Sequence, residues 1–278
     1  MIVVTGASGH LGRLVIEELK KRVPAAQIVA AARTPEKAAD LGVEVREADY
    51  DRPETIEAAL RGATKVLLIS GVEPQRARQH AAVVDAAKQA GAALVYTSAP
   101  KADTTEAGLA ADHRATEEYI KASGVTYTIL RNNWYNEAYE RSITTASQLG
   151  AVYGAAGDGR IASASRADYA AAATAVLTGE GHEGKVYELT GDTTWTLADL
   201  AAEISKVTGK EVAYRNLPKD EYAGVLAGAG LPAPFAELLA DVDVNISRGW
   251  LADTPGTLRE LTGRPTQPIG DYVRALLA

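Results

Sequence analysis

The chain has 278 residues, 46% of them hydrophobic, with 29 Lys and Arg set against 36 Asp and Glu. That apolar content suits one large α/β domain, or a domain with an attached lobe, and the net charge of −7 offers no general attraction to nucleic acid or anionic lipid. With no Cys, a disulfide framework, a thiolate metal site and cysteine nucleophilic catalysis are excluded.

From the N-terminus, short apolar runs at Ile2–Thr5, Gln27–Ala32, Val43–Glu47, Lys65–Ile69, Ala92–Thr97 and Thr126–Leu130 read as strands, with amphipathic helical patterns between them. This alternation predicts βαβ units and a doubly wound parallel sheet of the Rossmann type. Several of these runs lack polar alternation, as strands covered by helices on both faces should. The first helix runs from Leu11 to Lys21, carries Leu11, Leu14, Val15, Ile16 and Leu19 at helical spacing, and stops before Pro24. Beyond about residue 150 the rhythm changes. Helices are predicted at Arg166–Thr178 and Thr196–Thr208, isolated strands at Lys185–Leu189 and Glu211–Tyr214, and Gly and Pro punctuate the last 70 residues. The expected division is a dinucleotide-binding domain over 1–150 and a smaller, mostly helical substrate lobe over 151–278, with some segments returning to the sheet. No apolar run approaches the roughly 20 residues that cross a bilayer, and the first strand at Ile2 leaves no room for a secretory signal. A cytoplasmic protein is expected, with no membrane or nucleic-acid partner and with a homodimer left open.

The firmest motif follows the first strand. Gly6, Gly9 and Gly12, spaced Gly-x-x-Gly-x-x-Gly with Ser8, His10 and Leu11 between them, lead from Thr5 into a helix. Such a turn directs backbone N–H groups and the positive helix end at a pyrophosphate, with no Cβ in the way. Where the second strand ends, an Asp or Glu would hold the ribose hydroxyls of NAD. The sequence has Ala30-Ala31-Ala32-Arg33 there, and Arg33 suits a 2′-phosphate that a carboxylate would repel. NADP(H) is therefore expected in preference to NAD(H). Asp49, after the third strand, is placed to accept from the adenine amino group. Ser70, Gly71 and Val72 follow the fourth strand and Ser98 the fifth, at the strand ends where such sheets bind ligands.

The chemistry is constrained by an absence. Ordinary short-chain reductases protonate an alkoxide with a Tyr whose pKa is lowered by a Lys four residues on, and none of the twelve Tyr here has Lys at that spacing. That region reads Asp112-His113-Arg114-Ala115-Thr116-Glu117 instead, with His113 a candidate proton donor or orienter and Asp112 and Glu117 read as solvated helix charges. The histidines show no metal-ligand spacing with each other, so no metal is expected. After the sixth strand, Asn132, Trp134, Tyr135 and Asn136 concentrate amides and aromatic rings suited to a nicotinamide and a flat acceptor. Arg166, with Ser163 and Ser165, is expected to return to the same place.

Taken together, Val4–Gly12, Ala48-Asp49-Tyr50, Leu130–Tyr135, Gly154–Gly159, Arg166–Ala171 and Gly181–Leu189 resemble the NmrA-like branch of atypical short-chain dehydrogenase/reductases, most closely its bacterial NAD(P)H:quinone oxidoreductase members. The resemblance runs nearly end to end. It implies NADPH-dependent hydride transfer to a quinone held over the nicotinamide between domain and lobe, with His113, Asn132 and Tyr135 at the reacting centre. Isoflavone-reductase-like relatives carry a Lys where His113 stands. A quinone fits the missing Tyr/Lys pair, because delocalisation stabilises the developing phenolate and positioning supplies much of the catalysis. The alternatives are an NADP(H)-binding redox sensor of the NmrA type that turns nothing over, and a reductase of another activated carbonyl or alkene.

Overall fold

The computed structural model describes residues 1–71 and 76–278. In chain order the elements begin β1 (Ile2–Thr5), α1 (His10–Lys20), β2 (Ile28–Ala32), β3 (Glu44–Glu47), α2 (Pro53–Ala59), β4 (Lys65–Leu68), α3 (Arg76–Gln89), β5 (Ala93–Ser98), α4 (Gly108–Ser123) and β6 (Tyr127–Asn132). They continue α5 (Glu140–Leu149), β7 (Ala151–Gly154), α6 (Arg166–Thr178), β8 (Val186–Leu189), α7 (Leu197–Thr208), β9 (Ala213–Asn216), α8 (Lys219–Gly228), α9 (Ala233–Ser247), α10 (Thr257–Thr262) and α11 (Ile269–Leu277).

Two compact units emerge. The first comprises Met1–Asp103, Asp112–Asn132 and Arg166–Glu188; the second comprises Thr104–Ala111, Asn133–Ser165 and Leu189–Ala278. The first is built on a seven-stranded sheet in the order β3-β2-β1-β4-β5-β6-β8. Pairing from β3 through β6 is parallel. β8 continues in the same sense, since the amides of Ile129 and Asn133 reach the carbonyls of Lys185 and Leu189 and both partners advance together. Every residue of β1 and β2 is buried, as their unbroken apolar runs require, whereas the edge strand β3 is charged and partly exposed. Val3, Val29, Ile56, Leu60, Leu68, Val83, Leu94, Ile120 and Ile129 belong to one core cluster of this unit. The alanine-rich α6 packs on α1, its small side chains allowing close approach, and so a segment from far along the chain completes the first unit.

In the second unit β7 and β9 form a two-stranded parallel sheet. The strand expected at Glu211–Tyr214 lies at Ala213–Asn216. The cause is local: the Val212 amide donates to Ser205 Oγ at 2.9 Å, which delays pairing until Ala213 faces Ala151. Helix α7 opens on a capping box in which Thr196 and Asp199 bond each other's backbone amides at 3.1 and 2.9 Å. Ile143, Val152, Ile161, Leu200, Ile204, Ile246, Leu251 and Val273 are core residues of this unit. Among the described residues no helix is long and apolar enough to cross a membrane.

Candidate functional site

The sheet reverses direction of winding between β1 and β4, and open parallel sheets bind ligands at that switch point, outside the strands' carboxyl ends. Gly6 stands there in the left-handed region at φ 61°. Its carbonyl accepts the Gly9 amide at 3.0 Å, and Gly9 then caps α1 in an extended conformation. A Cβ on Gly12 would lie 2.4 Å from the Gly6 carbonyl oxygen and 2.7 Å from Ala7 Cα. The third glycine therefore lets the helix press onto its own turn, while exposed Gly9 and His10 present the helix start outward. Leu11 is buried and acts in packing.

Register carries Arg33 to the same place. Thr5 pairs with Ala31, and the Ala7 amide bonds the Ala31 carbonyl at 3.1 Å, so Arg33 leaves the sheet beside the glycine turn with its side chain exposed. The following turn, Pro35–Leu41, is tied to α1 by Arg13, which meets Asp40 at 2.8 and 3.1 Å, bonds the Lys37 carbonyl, and reaches the Ser8 carbonyl at 3.3 Å. Nothing in the sequence spacing singles out Arg13. One strand further, the Ala48 amide bonds the Ala32 carbonyl, which places Asp49 next in line; its Oδ1 accepts the Asp51 amide at 3.1 Å. Between these strands the hydroxyls of Thr5 and Tyr50 are 2.5 Å apart and link to the carbonyls of Leu67 and Ile69. Ser70 is held by its amide, which donates to Thr97 Oγ1 at 3.0 Å. Gly71 accepts from Arg76 at 3.3 Å. Val72 lies outside the described residues.

His113 sits on α4, buried, with Nδ1 2.7 Å from the Tyr96 hydroxyl. Desolvation first, then the nearby Arg76 charge and His80, lower its pKa to about 3. The imidazole is thus neutral at neutral pH. His80, fully buried beside it, has its pKa lowered to about 4 by desolvation and Arg76. Its Nδ1 is 3.0 Å from Thr116 Oγ1, which itself donates to the Asp112 carbonyl. Arg76, 6% exposed, meets Asp112 at 3.0 Å.

The expectation of a solvated Glu117 is corrected. Glu117 is 1% exposed and receives Arg131 through two bonds, Nε to Oε1 at 2.9 Å and Nη2 to Oε2 at 2.6 Å. The Ser98 hydroxyl donates to Glu117 Oε1 at 2.7 Å, so it points into this network. Arg131 Nη1 also reaches Asp103 and Glu188, each at 2.9 Å, and the Lys101 amide donates to Glu188. Arg131 on β6 thus gathers carboxylates from α4, from β8 and from Asp103, more than 50 residues apart at the extremes. Asp112, by contrast, is exposed as expected, although it also pairs with Arg76.

Asn132 ends β6 and is buried in the first unit. In the second unit, Tyr135 is half-buried and forms a bridge with Ala164. The Trp134 ring lies 6.4 Å from Trp250. Asn136 is fully buried with its amide committed: Nδ2 donates to the Gln267 carbonyl at 3.0 Å, and Oδ1 accepts from Ser163 Oγ at 2.6 Å. Ser163 in turn accepts from Trp195 Nε1 at 2.8 Å. These bonds make Asn136 and Ser163 internal supports. Arg166 begins α6 in the first unit.

A parallel sheet in this order, with a glycine turn at its switch point and a helix start directed outward, defines a Rossmann-type dinucleotide-binding protein. The NAD(P)H-binding family model matches residues 6–180. Over 99% of its length the chain is 51% identical to 98% of quinone oxidoreductase 2 of Escherichia coli K12. It is 31% identical to an NmrA-like family domain-containing oxidoreductase of Aspergillus flavus, covering 99% of this chain and 94% of that one. The crystal structure of the Escherichia coli NADPH-dependent quinone oxidoreductase complexed with NADPH superposes with a TM-score of 0.97 at 51% identity, covering 100% of both chains. The chain belongs to the NAD(P)H-binding, NmrA-like family.

Proposed function

We propose that this protein transfers hydride from NADPH to a quinone. The observation that carries the reading is the end-to-end identity with the Escherichia coli quinone oxidoreductase, joined to a glycine turn whose geometry suits a pyrophosphate. NADPH supplies the hydride when bound; a quinone, that hydride and one proton give the hydroquinone. The remaining roles fall to the chain. Ser8, Gly9 and His10 receive the pyrophosphate at the start of α1, which the close packing of Gly12 on Gly6 holds against the turn. Arg33 takes the 2′-phosphate, its direction set by the Arg13–Asp40 clamp on the following turn. Asp49 accepts from the adenine amino group. Ser70 and Gly71 line the nucleotide's path, and Arg166 adds positive charge. Asn132, at the end of β6, serves the nicotinamide, and His113 acts through Tyr96 as a positioning residue.

NADPH oxidation followed with benzoquinones, naphthoquinones and enals tests this. Turnover with quinones in preference to enals is expected. Tight NADPH binding without turnover of any acceptor would overturn the reading in favour of a redox sensor, and preference for enals would move the substrate class.

A further inference from the structure

The stretch Gly154–Gly159, given no role above, builds something in the second unit. Helices α5, α8 and α9, with β7, surround a cavity of about 230 Å³ there. An apolar cavity of roughly 150 Å³ accommodates benzene, so this one has room for a single ring with a short arm. Trp134, Tyr139 and Tyr222 give it aromatic walls, and Leu226, Leu239 and Val242 aliphatic ones. Tyr139 is fixed edge-on against Trp195 at 4.9 Å between centroids.

One carboxylate lines this lining of rings and aliphatics. Asp243 is 7% exposed. Its Oδ2 accepts the Ala155 amide at 2.7 Å, and its Oδ1 has no hydrogen-bond partner among the described residues. The backbone has been cleared to seat it: a Cβ on Gly154 would stand 2.8 Å from Asp243 Oδ2 and 2.4 Å from Leu197 Cδ1. Arg141 also lines the cavity, exposed and engaged by the Ala229 carbonyl. A buried carboxylate with half its acceptor capacity open is costly unless a cation completes it, and aromatic faces favour the same charge.

We propose that this cavity binds an arylalkylammonium, a small organic cation with one aromatic ring, whose charged head pairs with Asp243 Oδ1 while Trp134, Tyr139 and Tyr222 enclose the molecule. The charged head sets this ligand apart from a quinone, which has no cation to offer. Calorimetric titration of the full chain, without NADPH or quinone, with 2-phenylethylammonium, 2-phenylethanol and phenylacetate tests it. The ammonium should bind at least about tenfold more tightly than the alcohol of the same shape, and phenylacetate least, given one charge-assisted bond and cation–π contact. Asp243→Asn should erase that preference while Leu239→Phe, which fills the cavity, weakens ammonium and alcohol alike. Equal affinity for ammonium and alcohol, undiminished ammonium binding by Asp243→Asn, or no binding at millimolar ammonium would overturn the proposal. Because no turnover is measured, its failure is separate from any failure of quinone reduction.

Discussion

Replacing Asp243 with Asn should stabilise the protein above pH 6 and leave it nearly unchanged near pH 4. Desolvation, opposed by the Ala155 amide, pushes this carboxyl from the ordinary Asp value of 3.8 up to about 6. Between those values the folded chain holds a proton that the unfolded chain has lost. Stability therefore falls as pH rises through that window, and the full penalty applies above the folded value. The shift of roughly two units corresponds to about 3 kcal/mol, each unit being about 1.36 kcal/mol. Asn carries no charge, and its Oδ1 can keep the 2.7 Å bond from Ala155. Its amide protons then enter the cavity short of partners, so the expected net gain is about 1–3 kcal/mol. Chemical denaturation of both proteins across this range measures it. The difference should grow from near zero to a plateau; a difference independent of pH, or a variant less stable at neutral pH, would refute the reasoning.

Arg131→Met should cost about 3–5 kcal/mol, since Glu117 is left buried without its two strongest donors. Adding Glu117→Leu should recover most of that loss in a denaturation cycle, and a single variant within about 1 kcal/mol of the parent would contradict the network. Gly12→Ala should lower stability by about 1–3 kcal/mol through overpacking against Gly6 and weaken NADPH binding as well; a native melting curve with normal NADPH titration would exclude the close-approach argument. Arg33→Ala should weaken NADPH about 10- to 100-fold, as loss of a charge-assisted bond of about 1.5–3 kcal/mol implies. NADH affinity, measured by the same fluorescence titration, should change little, and equal losses would remove Arg33 from the 2′-phosphate.

The sequence by itself determined what depends on near neighbours. Unbroken apolar runs alternating with helical periodicity specify a parallel sheet covered on both faces, and β1, β2 and their successors lie where those runs are. Glycines three apart fix a turn because backbone clearance is decided within seven residues. Arg33 is legible for a similar reason, since the residue immediately past a strand end is a position that strand register alone sets. Sequence could not show which charges would be neutralised. Glu117, on a helix face that reads as solvated, is buried because β6 brings Arg131 beneath it and β5 adds the Ser98 hydroxyl. The same holds for His113, whose protonation is decided by burial against Tyr96 and by the charge of Arg76, residues from two other elements. Asp243 is the extreme case. Its character comes from a glycine 89 positions earlier that makes room for it and from side chains on other segments that bury most of it. Backbone conformation is local, whereas desolvation and Coulomb pairing act through space, so tertiary structure alone decided where charge is held and where it is suppressed.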